Sequence, residues 1–392
     1  MLMCYHEKSD CCGCGACANI CPKKLINMVP DEEGFLYPEI VDNSVCIDCG
    51  LCVSVCPIKH SEEINSEFSK AFAGWCKDCD NIESASGGAA FAISDKVISD
   101  GGIVYGVRYA DDCKSALYTR CVNRDDIVRT RSSKYIQARK NDVYRLVKAD
   151  LVKGENVLFI GLPCEVYAVK RYVGDLSERL LTVSLICHGP TSEKVHAAFC
   201  DAIEARMHST IASINVRYKK NGHWKPYYIL ADTANGREYI KKFQSTEYDM
   251  AFQCFKRPSC QKCRFKNNKF CADILIGDFH SAQKGTSEYN SGGVSSILPL
   301  SSRGESFLNE FSSSFVLFAV DLDRSLSQKA IHSSVAFDID RRGFVEQLEQ
   351  YGLRSACHNR DICAHRRAIK KKRTINLVKS VGYNVLSRLH LV

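Results

Sequence analysis

The sequence lacks three features that would point to a membrane or to nucleic acid. No stretch of its 392 residues approaches the length of a membrane-spanning helix. Residues 5–8 are polar or charged where a signal peptide would need an apolar run. Net charge is missing from most of the chain, because residues 360–392 carry nine Lys or Arg and one acid, which equals the +8 of the whole sequence. We therefore expect no nucleic-acid partner for the neutral main body.

A dinucleotide fingerprint is also absent. No G-x-G-x-x-G segment follows a strand-like run, so the sequence does not support a standard dinucleotide-binding domain. The remaining composition is ordinary, with 45% hydrophobic and 25% charged residues, as in globular proteins. The length allows two or three domains.

Cysteine, by contrast, is abundant, with 23 residues. Eight of them form two copies of C-x-x-C-x-x-C-x-x-x-C-P offset by 35 residues, namely Cys11, Cys14, Cys17 and Cys21, then Cys46, Cys49, Cys52 and Cys56. This is the pattern of two-cluster bacterial ferredoxins, in which the cysteine before proline ligates the opposite cluster. We therefore predict one [4Fe–4S] cluster on Cys11, Cys14, Cys17 and Cys56, and another on Cys46, Cys49, Cys52 and Cys21.

Zinc and disulfides are the alternatives for these eight cysteines. Zinc sites favour separated C-x-x-C pairs with a long spacer, whereas here four cysteines fall within eleven residues and the block repeats. Disulfides need an oxidising compartment. Oxygen destroys exposed clusters, so we expect a reducing cytoplasm. Cys4 and Cys12 lie outside the repeat, and we expect neither to be a ligand.

The rest of the chain alternates short apolar runs with helical segments. Residues 157–161 precede one helix and residues 182–187 precede another, as in parallel β-α units. The predicted class is α+β, with a ferredoxin-like domain at 1–62 and a linker up to residue 70. An α/β flavin-binding catalytic domain follows at 71–355, with a β-rich insertion at 211–245. A basic amphipathic tail is predicted at 360–392.

Two further cysteines stand at strand ends. Cys164 and Cys187 each follow an apolar run, and ligands of parallel sheets lie beyond the carboxyl ends of the strands. The C-x-x-C pair Cys260 and Cys263 would complete a four-thiolate set, which we call the strand-end set. The alternatives are a local set of Cys254, Cys260, Cys263 and Cys271, structural zinc, and ordinary buried thiols. We favour the strand-end set.

Weaker signals suggest an anion site and a proton donor. Two glycines at 87–88 open an apolar helix, whose free N–H groups would suit a flavin pyrophosphate, although a plain helix start explains them equally. Residues 133–135 add a hydroxyl, a cation and an aromatic ring, as a surface loop also would. His188 is a candidate proton donor near a cofactor, or a structural histidine.

Together these segments resemble the coenzyme F420 hydrogenase/dehydrogenase beta-subunit family, in its bacterial form with an N-terminal two-cluster ferredoxin. The matching pieces are Ser86-Gly87-Gly88, Gly101-Gly102, Ser133-Lys134-Tyr135, Gly161-Leu162-Pro163-Cys164, Cys187-His188-Gly189, Pro258-Ser259-Cys260-x-x-Cys263 and Gly277-Asp278-Phe279. The resemblance implies FAD, a third [4Fe–4S] cluster near it, and exchange with a two-electron carrier, which is deazaflavin F420 in archaeal relatives. The residues assigned to cofactor binding are Ser86, Gly87, Gly88, Ser133, Lys134, Tyr135, Pro163 and Asp278.

These observations predict a cytoplasmic iron–sulfur flavoprotein oxidoreductase. Electrons would enter singly at the clusters, pair on the flavin and reduce a small two-electron substrate, with a ferredoxin or another redox protein as partner. The first alternative is a non-catalytic electron-transfer subunit of a larger redox complex, and the second is a redox-sensing assembly or regulatory protein. The basic tail would lie on an anionic membrane surface or pack on its own domain.

Overall fold

The computed structural model describes residues 5–77, 83–310, 315–334, 337–368 and 371. These residues hold a ferredoxin-like domain, a large mixed sheet covered by helices on both faces, and a small antiparallel sheet. The helices that pack around the two larger sheets have the bounds Ala89–Ser99, Arg124–Val128, Val143–Val152, Pro163–Val173, Glu193–Met207, Glu247–Cys254, Pro258–Gln261, Ser302–Glu310, Leu322–Leu326, Lys329–His332 and Arg341–Ala356.

The N-terminal domain repeats one local geometry. Helix Ala16–Ile20 begins after Gly15, and helix Leu51–Ser54 begins after Gly50. Each glycine follows the second cysteine of its copy and has a left-handed φ, of 75° and 71°, which glycine adopts without steric cost. Between the helices, β1 (Ile26–Pro30) and β2 (Leu36–Ile40) pair as an antiparallel hairpin. The sequence repeat is therefore also a structural repeat.

The large sheet has eight strands. Their bounds are Ala71–Cys76 (β3), Ile103–Tyr109 (β4), Ala116–Cys121 (β5), Val157–Gly161 (β6), Leu180–Leu185 (β7), Ile274–Asp278 (β11), Ser295–Pro299 (β12) and Phe315–Val320 (β13). Across the sheet they follow the order β13-β3-β12-β11-β7-β6-β4-β5. Strands β4, β6, β7 and β11 run parallel, and the other four pair antiparallel. The predicted parallel units thus form the centre of a mixed sheet.

Side-chain alternation along the central strands builds two cores. In β6, Phe159 packs on one face with helices Val143–Val152 and Pro163–Val173, whereas Leu158 packs on the other with helix Ala89–Ser99. Successive strand residues point to opposite faces, so continuous apolar runs suit strands covered on both sides. This arrangement leaves the strand ends as the open edge of the sheet.

The small sheet covers part of that edge. Strands β8 (Ile211–Tyr218), β9 (Tyr228–Thr233) and β10 (Glu238–Lys242) pair antiparallel in the order β10-β9-β8. Residues 211–245, where the sequence predicts a β-rich insertion, therefore hold a three-stranded sheet. Its inner face shares a core with Phe199, Tyr248 and Phe344 of three helices, and with Phe35 and Tyr37 of the ferredoxin-like domain.

The predicted tail begins inside this core. Residues 360–368 are helical, and Ile362 is completely buried. Residues 369–370 and 372–392, which carry the rest of the predicted basic amphipathic helix, lie outside the described residues. Across the part of the chain that the structure describes, no helix is long and apolar enough to cross a membrane.

Candidate functional site

A cavity of about 1220 Å³ lies at the carboxyl ends of β4, β6, β7 and β11. Six of the eight residues predicted to bind a cofactor line it: Ser86, Gly88, Ser133, Lys134, Tyr135 and Asp278. The other two lie behind its wall. A Cβ at Gly87 would meet the Gly74 carbonyl oxygen of β3 at 2.2 Å, and Pro163 is the buried first residue of its helix. The structure therefore brings together residues from distant parts of the sequence.

An ion pair fixes one wall of this cavity. The Arg217 Nη2 lies 2.9 Å from Asp278 Oδ2, and Arg217 Nη1 donates a hydrogen bond of 2.8 Å to the Tyr135 hydroxyl. Burial acts to raise the pKa of Asp278, but the Arg217 charge holds that pKa below its usual value. The pair is therefore ionised. Among the described residues, Arg217 Nε and Gln328 Nε2 are buried donors without a hydrogen-bond partner, and both side chains line the cavity.

Lys134 is held by its own loop. Its ammonium donates hydrogen bonds of 2.8 Å to the Thr130 carbonyl and 2.6 Å to the Arg131 carbonyl. Burial lowers the pKa of Lys134 to about 7. These contacts order the loop that follows the helix Arg124–Val128, so Lys134 shapes the cavity wall from within.

His188 opens onto the cavity directly after Cys187. Burial of the imidazole, together with the charges of Lys256 and Lys266, lowers the pKa of His188 to about 4. The imidazole is therefore neutral near pH 7, which suits it to donate a hydrogen bond rather than to act as an imidazolium acid. Its proposed role in proton transfer stays a prediction.

The strand-end set is assembled by the fold. Cys164 lies in the first turn after β6, where Glu165 accepts hydrogen bonds from Leu162 N at 3.0 Å and from the Tyr118 hydroxyl at 2.7 Å. Cys187 follows β7, the neighbouring parallel strand, and interacts electrostatically with Cys164, Cys260 and Cys263. The four thiols therefore share one neighbourhood.

The surroundings of these four thiols suit an iron–sulfur cluster, which is negatively charged and contains large sulfur atoms. Gly189 has a φ of 90°, and a Cβ there would lie 2.8 Å from Cys260 Cβ, so the two segments approach as closely as a glycine permits. Two ammonium groups face the set: Lys266 Nζ donates to the Cys187 carbonyl at 2.7 Å, and Lys256 Nζ donates to the His188 carbonyl at 2.8 Å. Positive charges stabilise thiolates.

The local alternative is not assembled in the same way. Cys254 is 2% exposed, packs in the core near Cys357, and lines the large cavity. Cys271 packs with Cys164 and Cys263 against one group of buried apolar residues, whereas Cys254 belongs to another core. The position of Cys254 therefore counts against the complete local set, and the choice of ligands stays a prediction. No group of three His, Cys, Asp or Glu suited to a single metal ion is found among the residues described.

A smaller cavity in the ferredoxin-like domain is lined by thiols from both sequence copies, Cys11, Cys14 and Cys17 with Cys56. The Cys14 thiol interacts with Cys17 and Cys56. This grouping is the one expected if the last cysteine of each copy serves the opposite cluster. In the other predicted set, Cys49 is exposed, and Cys21, Cys46 and Cys52 are half-buried.

Two residues with important contacts were not predicted from the sequence. Arg257 is completely buried and donates to the carbonyls of Cys11 at 2.7 Å and Leu36 at 2.9 Å. Gln137 donates to the Gly13 carbonyl at 2.8 Å. Both residues belong to the region that follows the ferredoxin-like domain, and no local motif marks either of them. They join the two domains at the backbone that carries the first cysteines.

Comparisons with known proteins agree with this organisation. Residues 10–60 match the 4Fe-4S dicluster domain, and residues 154–324 match the family described as the C terminus of the coenzyme F420 hydrogenase/dehydrogenase beta subunit. A curated relative, the coenzyme F420-dependent sulfite reductase of Methanocaldococcus jannaschii, is 26% identical over 165 residues. That match covers 42% of this chain and 25% of the relative, so the chain spans about a quarter of the relative's length.

Among solved structures, a chain of the F420-reducing [NiFe] hydrogenase complex from Methanosarcina barkeri aligns with a TM-score of 0.48 and 17% identity, over 76% of this chain and 97% of that chain. The two family matches relate this chain to iron–sulfur proteins of the oxidoreductase type. They confirm the resemblance predicted from the sequence: the chain carries a 4Fe-4S dicluster domain followed by a region of the coenzyme F420 hydrogenase/dehydrogenase beta-subunit family.

Proposed function

We propose that the chain is an iron–sulfur flavoprotein oxidoreductase, with a flavin in the large cavity and a third [4Fe–4S] cluster on the strand-end set. One observation carries the proposal. Cys187 lines the cavity and also interacts with Cys260 and Cys263. A group bound to these thiols would therefore border the cavity wall, where electrons have a short route to a ligand.

The size of the cavity supports a large cofactor. Pockets for small ligands usually have volumes of about 300–1000 Å³, whereas this cavity has about 1220 Å³. It has room for FAD and for part of a second small molecule. A simple relay between clusters needs no such space.

The phosphate end of the flavin has a candidate position. The N-terminus of helix Ala89–Ser99 opens onto the cavity, and helix N-termini favour anions. Arg131 also lines the cavity there, with its guanidinium 3.7 Å from the centre of the Phe91 ring. Ser133 adds a hydroxyl beside it. These groups match a pyrophosphate in charge and in hydrogen-bonding capacity.

The opposite wall suits the ring system. Tyr135 stacks on Phe252 with ring centres 4.4 Å apart, and Arg217 Nε and Gln328 Nε2 offer buried donors to the carbonyls of a bound heterocycle. When bound, a flavin accepts electrons singly and passes them on as a pair, which no side chain here can do. Pro163 and Gly87 would support the wall without contacting the flavin.

The substrate follows from the relatives by analogy. The matched family and the curated relative are both named for coenzyme F420. We propose F420, or another small two-electron carrier, as the partner of the flavin. The exposed thiol of Cys49 would mark the entry side for electrons from a ferredoxin-like protein. Membrane contact through the basic tail at 360–392 stays a prediction.

The phosphate position can be tested by comparing two ligands. We expect Arg131→Gln to weaken FAD binding about tenfold, the value of one charge-assisted hydrogen bond, while riboflavin, which lacks phosphate, binds almost as before. Flavin fluorescence quenching in titrations of flavin-free, full-length protein measures both affinities. Arg124→Gln is the matched control, because Arg124 also lies over Phe91, at 5.2 Å, but pairs with Asp95 outside the cavity. Equal losses for both ligands would contradict the proposed position.

A further inference from the structure

Cys12 lies between the two groups of thiols, although its place in the sequence marks it as a bystander. It lines the small cavity with Cys11, Cys14, Cys17 and Cys56. Its side chain also packs with those of Cys56, Cys164 and Cys263 against one group of buried apolar residues, which includes Tyr167 and Phe265. One side chain therefore lies beside predicted ligands of the first ferredoxin cluster and of the strand-end set.

The surrounding contacts hold Cys12 in this position. The Cys12 carbonyl accepts a hydrogen bond of 3.3 Å from Gln137 Nε2, which also donates 2.8 Å to the Gly13 carbonyl. Arg257 Nη1 donates 2.7 Å to Gln137 Oε1, and Arg257 Nε donates 2.7 Å to the Cys11 carbonyl. The backbone on both sides of Cys12 is thus fastened by Gln137 and Arg257, which holds Cys12 in the packed group that also contains Cys164.

We propose that Cys12 is a positioning residue that couples the first ferredoxin cluster to the strand-end cluster. The inference rests on the proposed function, because it takes both cysteine sets as ligands. One electron would leave the cluster on Cys11, Cys14, Cys17 and Cys56, which would be oxidised, and would arrive at the cluster on the strand-end set, which would be reduced. A low-potential external donor supplies the electron, no covalent bond forms or breaks, and Cys12 remains a thiol.

The chemistry of ligand sulfurs gives Cys12 its effect. Cys14 and Cys164 would carry no proton when they bind iron, so a Cys12 S–H beside them can only donate a hydrogen bond. Hydrogen bonds to cluster sulfurs alter the reduction potential, because they stabilise the more negative, reduced state. Outer contacts of this kind at metal sites are commonly worth about 10- to 100-fold in activity.

The test uses full-length protein purified without oxygen, with the variants Cys12→Ala and Cys12→Ser. We expect both to keep the wild-type iron content and the reduction rate of the N-terminal clusters by dithionite. Electron arrival at the strand-end cluster, followed by freeze-quench electron paramagnetic resonance, should slow by about tenfold in Cys12→Ala. The reduction potential of the strand-end cluster should also fall in Cys12→Ala. Cys12→Ser, which keeps a donor at the same place, should restore much of the potential.

Cys121→Ala is the matched control, because Cys121 is completely buried in a core on the other face of the sheet. It should leave both the rate and the potential unchanged. Wild-type rate and potential in Cys12→Ala would overturn the inference, and so would a loss of about four iron atoms, which would make Cys12 a ligand. Only about eight iron atoms in the wild-type protein would overturn the third cluster itself. That outcome differs from a failure of the Cys12 inference alone, in which the wild-type protein holds all three clusters.

Discussion

The position of Cys187, a predicted cluster ligand, is set by the strand that precedes it. Strands β6 and β7 pair in parallel, with Gly161 opposite Ser184, so the residues that follow them meet at one edge of the sheet. This brings Cys164 and Cys187 together, although they are 23 positions apart in the sequence. The thiols of the C-x-x-C segment reach the same edge from the short helix Pro258–Gln261 and the residues that follow it.

The ligand assignment predicts a specific loss of metal. We expect Cys164→Ala and Cys187→Ala each to lower iron from about twelve to about eight atoms per chain, because one of three cubanes is lost. Cys254→Ala and Cys271→Ala should keep all of it. Iron analysis and electron paramagnetic resonance of anaerobically purified protein measure the outcome. Iron loss in the second pair of variants would favour the local set.

Gly189 offers an independent test of the same site. Its φ of 90° and the 2.8 Å from its would-be Cβ to Cys260 Cβ leave no room for a side chain. We expect Gly189→Ala to displace the Cys260 segment and to lower iron by about four atoms. Gly236→Ala is the control, since Gly236 has a φ of 77° but nothing within 4 Å. That variant should cost about 1 kcal/mol of stability and no iron.

Single residues also mark the limit of prediction from the sequence. The ligand candidates were recognisable because their spacing is specific, and the positions after apolar runs predicted the strand-end cysteines. Cys12 and Arg257 were not recognisable, because their partners lie in another domain. Arg257 reaches the Cys11 carbonyl across 246 positions of the chain. No local pattern encodes such a contact.

At the scale of elements, the helical segment at 360–368 belongs to the core. Ile362 is completely buried there, while Cys363, His365, Arg366 and Arg367 line the large cavity. The ring of His365 also lies 4.2 Å from that of Phe337. For the described part of the predicted tail, packing on its own domain is therefore the better description.

This packing predicts a cost for removing a core side chain. We expect Ile362→Ala to lower the free energy of unfolding by about 3 kcal/mol, as is usual for a buried isoleucine. Its neighbour Ala364 is exposed, so Ala364→Ser should change that free energy by less than about 0.5 kcal/mol. Denaturant titration followed by circular dichroism measures both. Equal, small effects would show that the segment does not contribute to the core.

The sheet shows which elements local patterns specify. Apolar runs followed by helices predicted β6 and β7, which are two of the four central parallel strands. The antiparallel half was not predictable, because β3 (residues 71–76) pairs with β12 and β13, which lie more than 200 positions later. The spacing of apolar residues along a strand indicates that the strand is buried, but it does not indicate which strand will be its neighbour. Only the complete packing determines that order.

At the scale of the whole molecule, the two domains form a joint interface. The Tyr144 hydroxyl donates 2.8 Å to the Cys14 carbonyl, and Asn19 Nδ2 donates 2.7 Å to the Asn141 carbonyl. Arg257 adds its contacts to Cys11 and Leu36. These bonds hold the first ferredoxin site at a fixed position against the domain that follows it, and the proposed electron transfer would need such a fixed distance.

The interface predicts a whole-molecule effect of one substitution. Arg257→Gln would leave buried carbonyls without donors, and we expect it to lower the free energy of unfolding by about 2–4 kcal/mol. It should also speed the removal of N-terminal iron by a chelator. Arg342→Gln is the control, because the Arg342 side chain is 90% exposed, and it should change neither quantity. Wild-type stability in Arg257→Gln would mean that the domains associate without this contact.

We propose that this chain joins ferredoxin clusters to a flavin through a third cluster. Iron and flavin can be determined together in one sample of full-length protein purified without oxygen. We expect about twelve iron atoms, for three cubanes, together with one flavin per chain. About eight iron atoms and no flavin, in protein that has been offered FAD, would show that neither the third cluster nor the flavin is bound.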